Sequence, residues 1–225
     1  MPTHSARLFA LTLPAVALCN ACASLPTTFP RFEDAQARPA VVVGTIENDR
    51  YLDEFKECER PDVICMDPPP LLLTVSISQT VYGSERNGRR YVATTSHYGR
   101  GTHLPGSGDV QLLPLKVHGD DLVLPRYAGA AVVRTSSGDL AVPDWGNLPV
   151  WWLPCSTMSL REPIEFTDGA ARRLEQSDID ELNGLVSVSE GRALPLFGLR
   201  VSRIAEHLAS ISPDVSAMSC EGLSQ

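Results

Sequence analysis

The chain has 225 residues and a formal charge of −8, with 43% hydrophobic and 20% charged side chains. That is the composition of a globular protein with enough chain for a sizeable core. The acidic balance excludes nucleic acid as a natural partner, because phosphate binding needs a basic stripe.

Residues 1–23 read as a bacterial signal segment. Arg7 supplies the positive start, and residues 8–18 form an apolar run too short to span a bilayer. Cys19-Asn20-Ala21-Cys22-Ala23-Ser24 follows, and two processing routes fit it. Signal peptidase I would cut after Ala23. Alternatively, the run resembles a bacterial lipoprotein signal with Cys22 as the acylated residue. The pattern departs from that family at Cys19, where leucine usually stands. The implied address is the cell envelope, lipid-anchored and facing the periplasm, or the medium outside the cell. Residues 24–39 contain Pro and Thr without apolar periodicity and read as a tether.

Residues 40–46 (AVVVGTI) are β-branched and predict a strand. Residues 47–70 are acidic, end in Asp67-Pro68-Pro69-Pro70, and predict a long connection with one helical turn near 51–55. Leu71, Leu73, Val75, Ile77 and Val81 alternate with Thr74, Ser76, Ser78 and Thr80, which predicts a half-buried strand over 71–82. Asn87-Gly88 turns it back into a partner strand over 90–95. Residues 98–109 form a glycine-rich loop. Two further hairpins are predicted: 110–117 with 122–124, and 130–135 with 140–142.

The expected fold is therefore mainly β: a small OB-like barrel or sandwich of hairpins over residues 40–153. A short helical part over 154–225 is expected to pack on it. Ser177 predicts the cap of one helix beginning at Asp178. Val201, Ile204, Leu208 and Ile211 share one face of a second helix over 199–211, with Pro213 ending it.

One resemblance rests on Val41-Val42-Val43-Gly44-Thr45, then Thr74-Val75-Ser76-Ile77 through Val81-Tyr82-Gly83, then Tyr91-Val92-Ala93-Thr94. In that order these segments resemble the opening of an OB-fold of the netrin or metalloproteinase-inhibitor type, over about residues 40–145. In those inhibitors a free N-terminal cysteine reaches the protease zinc. Cys22 lacks the family's Cys-x-Cys start, so what the resemblance implies is the barrel.

Cys58, Cys65, Cys155 and Cys220 remain after the leader. An even count behind an export signal favours disulfides. Spacing favours Cys58–Cys65 around a small loop, which leaves Cys155–Cys220 to tie down the C-terminal tail. A zinc site is the competing reading, but these four contain no C-x-x-C pair.

No catalytic motif stands out. Ser107 lies in Gly106-Ser107-Gly108-Asp109, without the G-x-S-x-G elbow. Asp178, Asp180, Glu181 and Asn183 miss the glycine of a calcium loop. No cofactor and no metal are expected. Two features remain as candidate contacts. His97 and His103 flank Tyr98-Gly99-Arg100-Gly101-Thr102 on the glycine-rich loop, where solvated loop histidines are the plainer reading. Trp145, Trp151 and Trp152 cluster beside Cys155, where an exposed ring would dock an envelope protein or glycan and a buried one would belong to the core. The function expected is a non-enzymatic binding module at the envelope. An envelope hydrolase with unidentified residues stays as the alternative.

Overall fold

The computed structural model describes residues 29–30, 36–63, 69–94, 109–125, 128–146, 148, 150, 152–182 and 184–211. The fold is mainly β. Its first sheet is built from β1 (Arg38–Tyr51), β2 (Leu71–Tyr82), β3 (Gly88–Thr94), β4 (Val110–His118), β5 (Asp121–Leu124) and β6 (Ala130–Ala131), in the order β1-β2-β3-β5-β4-β6. β1 also pairs with β4, so five of the strands close into a ring, β1-β2-β3-β5-β4 and back to β1. The β3–β5 pair is parallel, and the other pairs around the ring are antiparallel. This is a closed five-stranded barrel.

Closure depends on β1 serving two neighbours. Its first half, Arg38 to Thr45, pairs with β4, while Val41 to Tyr51 pairs with β2. Register shifts between Val41/Val42, Val43/Gly44 and Ile46/Asn48 coil the strand from one partner toward the other. Gly44 is required there: a Cβ on it would stand 2.9 Å from the Ser76 carbonyl oxygen.

β2 matches its expected bounds, and Leu71, Leu73, Val75, Ile77 and Val81 are all buried. β1 differs from expectation. It continues through Glu47 to Tyr51, where the sequence predicts a connection, because those polar residues pair with Thr74 to Leu71 of β2. Pairing with a buried partner strand outweighs weak local propensity. The helical turn comes later, as a 3-10 helix at Asp53–Glu59.

The single strand expected over 130–135 is split at Val132. β6 stays in the barrel sheet, while β7 (Val133–Arg134) pairs with β8 (Leu140–Pro143). The chain thereby passes into a second sheet of order β7-β8-β12-β9, where β9 is Glu162–Pro163 and β12 is Phe197–Arg200. The part after residue 153 is thus not simply helical. It also contributes the hairpin of β10 (Val186–Ser189) and β11 (Arg192–Pro195). A boundary at 153 would cut through the second sheet, since β12 pairs with β8.

Among the described residues, the α-helices are α1 (Gln176–Glu181) and α2 (Val201–Ser210). α1 corrects the expected cap: Ser177 lies inside the helix, and Glu175 occupies the N-cap without a side-chain bond. α2 begins two residues later than expected, because Leu199 and Arg200 belong to β12. Val201, Ile204 and Leu208 are buried in the same apolar cluster as the barrel residues Leu71, Val75 and Leu113, and Ile211 packs against that cluster. Barrel and C-terminal helix share one core. A smaller cluster of Ala141, Ile164, Phe166 and Ala170 underlies the second sheet.

Candidate functional site

The tryptophan segment starts at the turn after β8. Asp144 is buried, accepts a hydrogen bond from the Gly146 amide at 2.9 Å, and is paired with Arg161 Nε. The Arg161 guanidinium also lies 4.3 Å from the centre of the Phe197 ring. This turn is therefore held by an ion pair between buried Asp144 and solvent-accessible Arg161, on either side of Trp145. Trp145 is half-buried, and the Arg172 guanidinium lies 4.9 Å over its ring, within cation–π range. Its indole Nε1 is buried with no hydrogen-bond partner.

Trp152 is 8% exposed and belongs to the main core cluster. That corrects its place among the contact candidates: a ring packed against the barrel lining has no surface to offer a partner. The physical reason is local. Tight turns, with Val150 N–H bonded to Leu148 O and Leu153 N–H to Val150 O, fold the segment inward rather than leave it extended. Trp151, His97 and His103 lie outside the described residues, as does Ser107. The structure therefore leaves Trp145 alone among the described contact candidates at the surface.

Cys58 and Cys155 are disulfide-bonded. Their expected partners, Cys65 and Cys220, lie outside the described residues, as does Cys22. Non-reducing peptide mapping is expected to recover a Cys58–Cys65 peptide and a Cys155–Cys220 peptide. Recovery of a cross-linked pair such as Cys58–Cys220 would overturn that pairing.

Two features were missed in the sequence. The first is a groove of about 400 Å³. It is lined by Ala37, Pro39, Ala40 and Val117 with Arg38, Tyr82, Ser84 and Glu85, where the start of β1 meets the end of β2 and of β4. Gly83 sits at φ +90, and its Cβ would meet Ala40 at 2.9 Å, so the turn after β2 lies directly against β1. No local motif announces such a groove, because its walls come from three separate segments.

The second is a pair of side chains 51 positions apart. Ser156 Oγ lies 2.7 Å from His207 Nε2. Ser156 is in the 3-10 helix Cys155–Leu160, and His207 is in the last turn of α2. The only sequence signal was that His207 adjoins the apolar stripe of α2, which makes it half-buried.

Among the described residues, no group of three or more His, Cys, Asp and Glu is placed to hold a metal ion. No described helix is long and apolar enough to cross a membrane. No protein-family model, curated protein or solved structure matches the chain.

Proposed function

We propose that the chain is an exported cell-envelope protein, lipid-anchored at Cys22, whose OB-like barrel is a binding module with the groove at the start of β1 as its contact surface. The observation that carries this reading is the groove itself. Its lining joins apolar walls to a few polar groups, Arg38, Tyr82 and Glu85. Ligand sites are typically built that way, and their volumes run from about 300 to 1,000 Å³. The disulfide-bonded state of Cys58 and Cys155 supports an oxidising compartment. An acidic chain directs the reading toward an envelope protein or glycan. The ring order also supports the OB resemblance, although protease inhibition is no part of the proposal.

The groove lies close in sequence to the anchor. From Cys22 to Ala37 is a stretch of 15 residues, which can reach at most about 50 Å. The partner is therefore a component within that distance of the membrane. The test places a photoreactive amino acid at position 82 and, as a control, at exposed Val188, in both the native sequence and Cys22→Ser. Cross-linking at 82 but not at 188 is expected, together with loss of membrane attachment in Cys22→Ser. Equal cross-linking at the two positions would overturn the groove. A Cys22→Ser protein that stays in the membrane pellet would overturn the anchor.

A further inference from the structure

We propose that Ser156 and His207 form a nucleophile–base pair that accepts acyl groups from small, uncharged carboxylic esters. The geometry is the one that nucleophilic catalysis needs: hydroxyl and imidazole nitrogen within hydrogen-bond distance, at 2.7 Å. In the neutral imidazole with its proton on Nδ1, the Ser156 hydroxyl donates to Nε2.

Both groups stand on supports that hold them in place. Ser156 sits between disulfide-bonded Cys155 and fully buried Thr157. Its carbonyl accepts a hydrogen bond from Ser159 Oγ at 2.6 Å. On α2, His207 lies between Ile204 and Leu208, both fully buried, and its own carbonyl accepts a hydrogen bond from Ser210 Oγ at 2.7 Å. Two rigid elements packed on one core thus fix the distance between base and nucleophile, which is what a functional pair requires of its scaffold. Ser156 itself is exposed, so an ester can reach its Oγ.

The step balances as follows. Ser156 Oγ attacks the ester carbonyl carbon while its proton passes to His207 Nε2. The tetrahedral intermediate collapses, the bond from carbon to the leaving oxygen breaks, and that oxygen takes the proton from the imidazolium. An acyl-serine and an alcohol result. Water then attacks the acyl-serine, giving its proton to Nε2; the bond from the acyl carbon to Ser156 Oγ breaks, Oγ takes the proton back from the imidazolium, and the acid is released. The chain's net charge of −8 disfavours an anionic acyl donor. The groove lies on other residues, so this chemistry stands apart from the binding function.

The test uses the native chain with a fluorophosphonate, in which Ser156 Oγ forms a bond to phosphorus and fluoride leaves with its electron pair. Peptide mass spectrometry compares the adduct at Ser156 with that at Ser187, an exposed serine of β10. Ser156 is expected to react faster than Ser187. His207→Gln is expected to slow the Ser156 reaction about a hundredfold, the lower end for loss of a positioned general base. Release of p-nitrophenol from p-nitrophenyl acetate should fall with it and be absent in Ser156→Ala. Equal labelling of Ser156 and Ser187 in the native chain would overturn the proposal without any variant. So would a folded His207→Gln protein that labels at the native rate.

Discussion

Gly198→Ala is expected to destabilise the fold by about 3 kcal/mol, the upper part of the usual range for overpacking a filled site. For a chain of this size that is a fall in Tm of about 6–12 °C. Gly198 lies in β12 between Pro143 of β8 and Glu162 of β9. A Cβ there would stand 2.5 Å from the Val142 carbonyl oxygen, 2.8 Å from Phe166 Cζ and 3.3 Å from Ile164 Cδ1. The two side chains can yield by rotating. The carbonyl belongs to the backbone of β8, so relief demands that β8 and β12 part. Val142 is fully buried in the main core, and a displaced β8 therefore disturbs the barrel side as well as the second sheet. Gly169→Ala is the reference variant: the nearest atom to its Cβ would be Thr167 Oγ1 at 3.6 Å, ordinary contact. Thermal unfolding of the two variants side by side checks the contrast. Equal melting temperatures would show that the β8–β12 approach is not as close as described.

How much of this was legible beforehand follows from the length and partners of each element. The bounds of β2 could be read because Leu71, Leu73, Val75, Ile77 and Val81 mark one apolar face, although its first half is not half-buried as expected: Leu72 and Thr74 on the other face are buried too. The hairpin of β4 and β5 was equally plain, with Gly119-Asp120 between two apolar runs. Of the second sheet only the β7–β8 pairing was legible, within the hairpin expected between 130–135 and 140–142; the rest was not. Its strands are two to four residues long, too short for any period to show. The β10–β11 hairpin turns through Glu190 and Gly191 at φ 52 and 72. Both residues are in the left-handed region, as a two-residue hairpin loop needs, but glutamate stands where Asn, Asp or Gly would have signalled it. Crossing from β6 to β7 within one apolar stretch was invisible for another reason: the split at Val132 is set by which partner strand lies beside each half. The candidate site suffered most. Trp152 and the surface of a partner look alike in sequence, since a tryptophan serves both. Ser156 and His207 meet only because a 3-10 helix and α2 lie together on the core.

Ile204→Ala is expected to cost about 3 kcal/mol, within the range of about 2–5 for truncating a buried isoleucine to alanine. It is also expected to slow the reaction of Ser156. Ile204 is fully buried in α2 and shares the main core with Val201, Leu208 and the barrel residues. Truncation removes the middle of the three contacts that hold the helix down and leaves a cavity beneath it. His207 is one position from Leu208 and three from Ile204, so its ring rides on that packing. An α2 that rocks on a partly emptied seat spends less time with Nε2 at 2.7 Å from Ser156 Oγ. The pair of variants separates two roles that one variant would confuse. His207→Gln removes the base from a half-buried position and is expected to leave Tm almost unchanged while the fluorophosphonate reaction falls. Ile204→Ala keeps the base and is expected to lower both. Chemical denaturation gives the stability change, and labelling measured well below the melting temperature gives the reactivity. Should Ile204→Ala lose stability with no change in labelling, the Ser156–His207 distance would not depend on the seating of α2, and the shared core would support the fold without tuning the site.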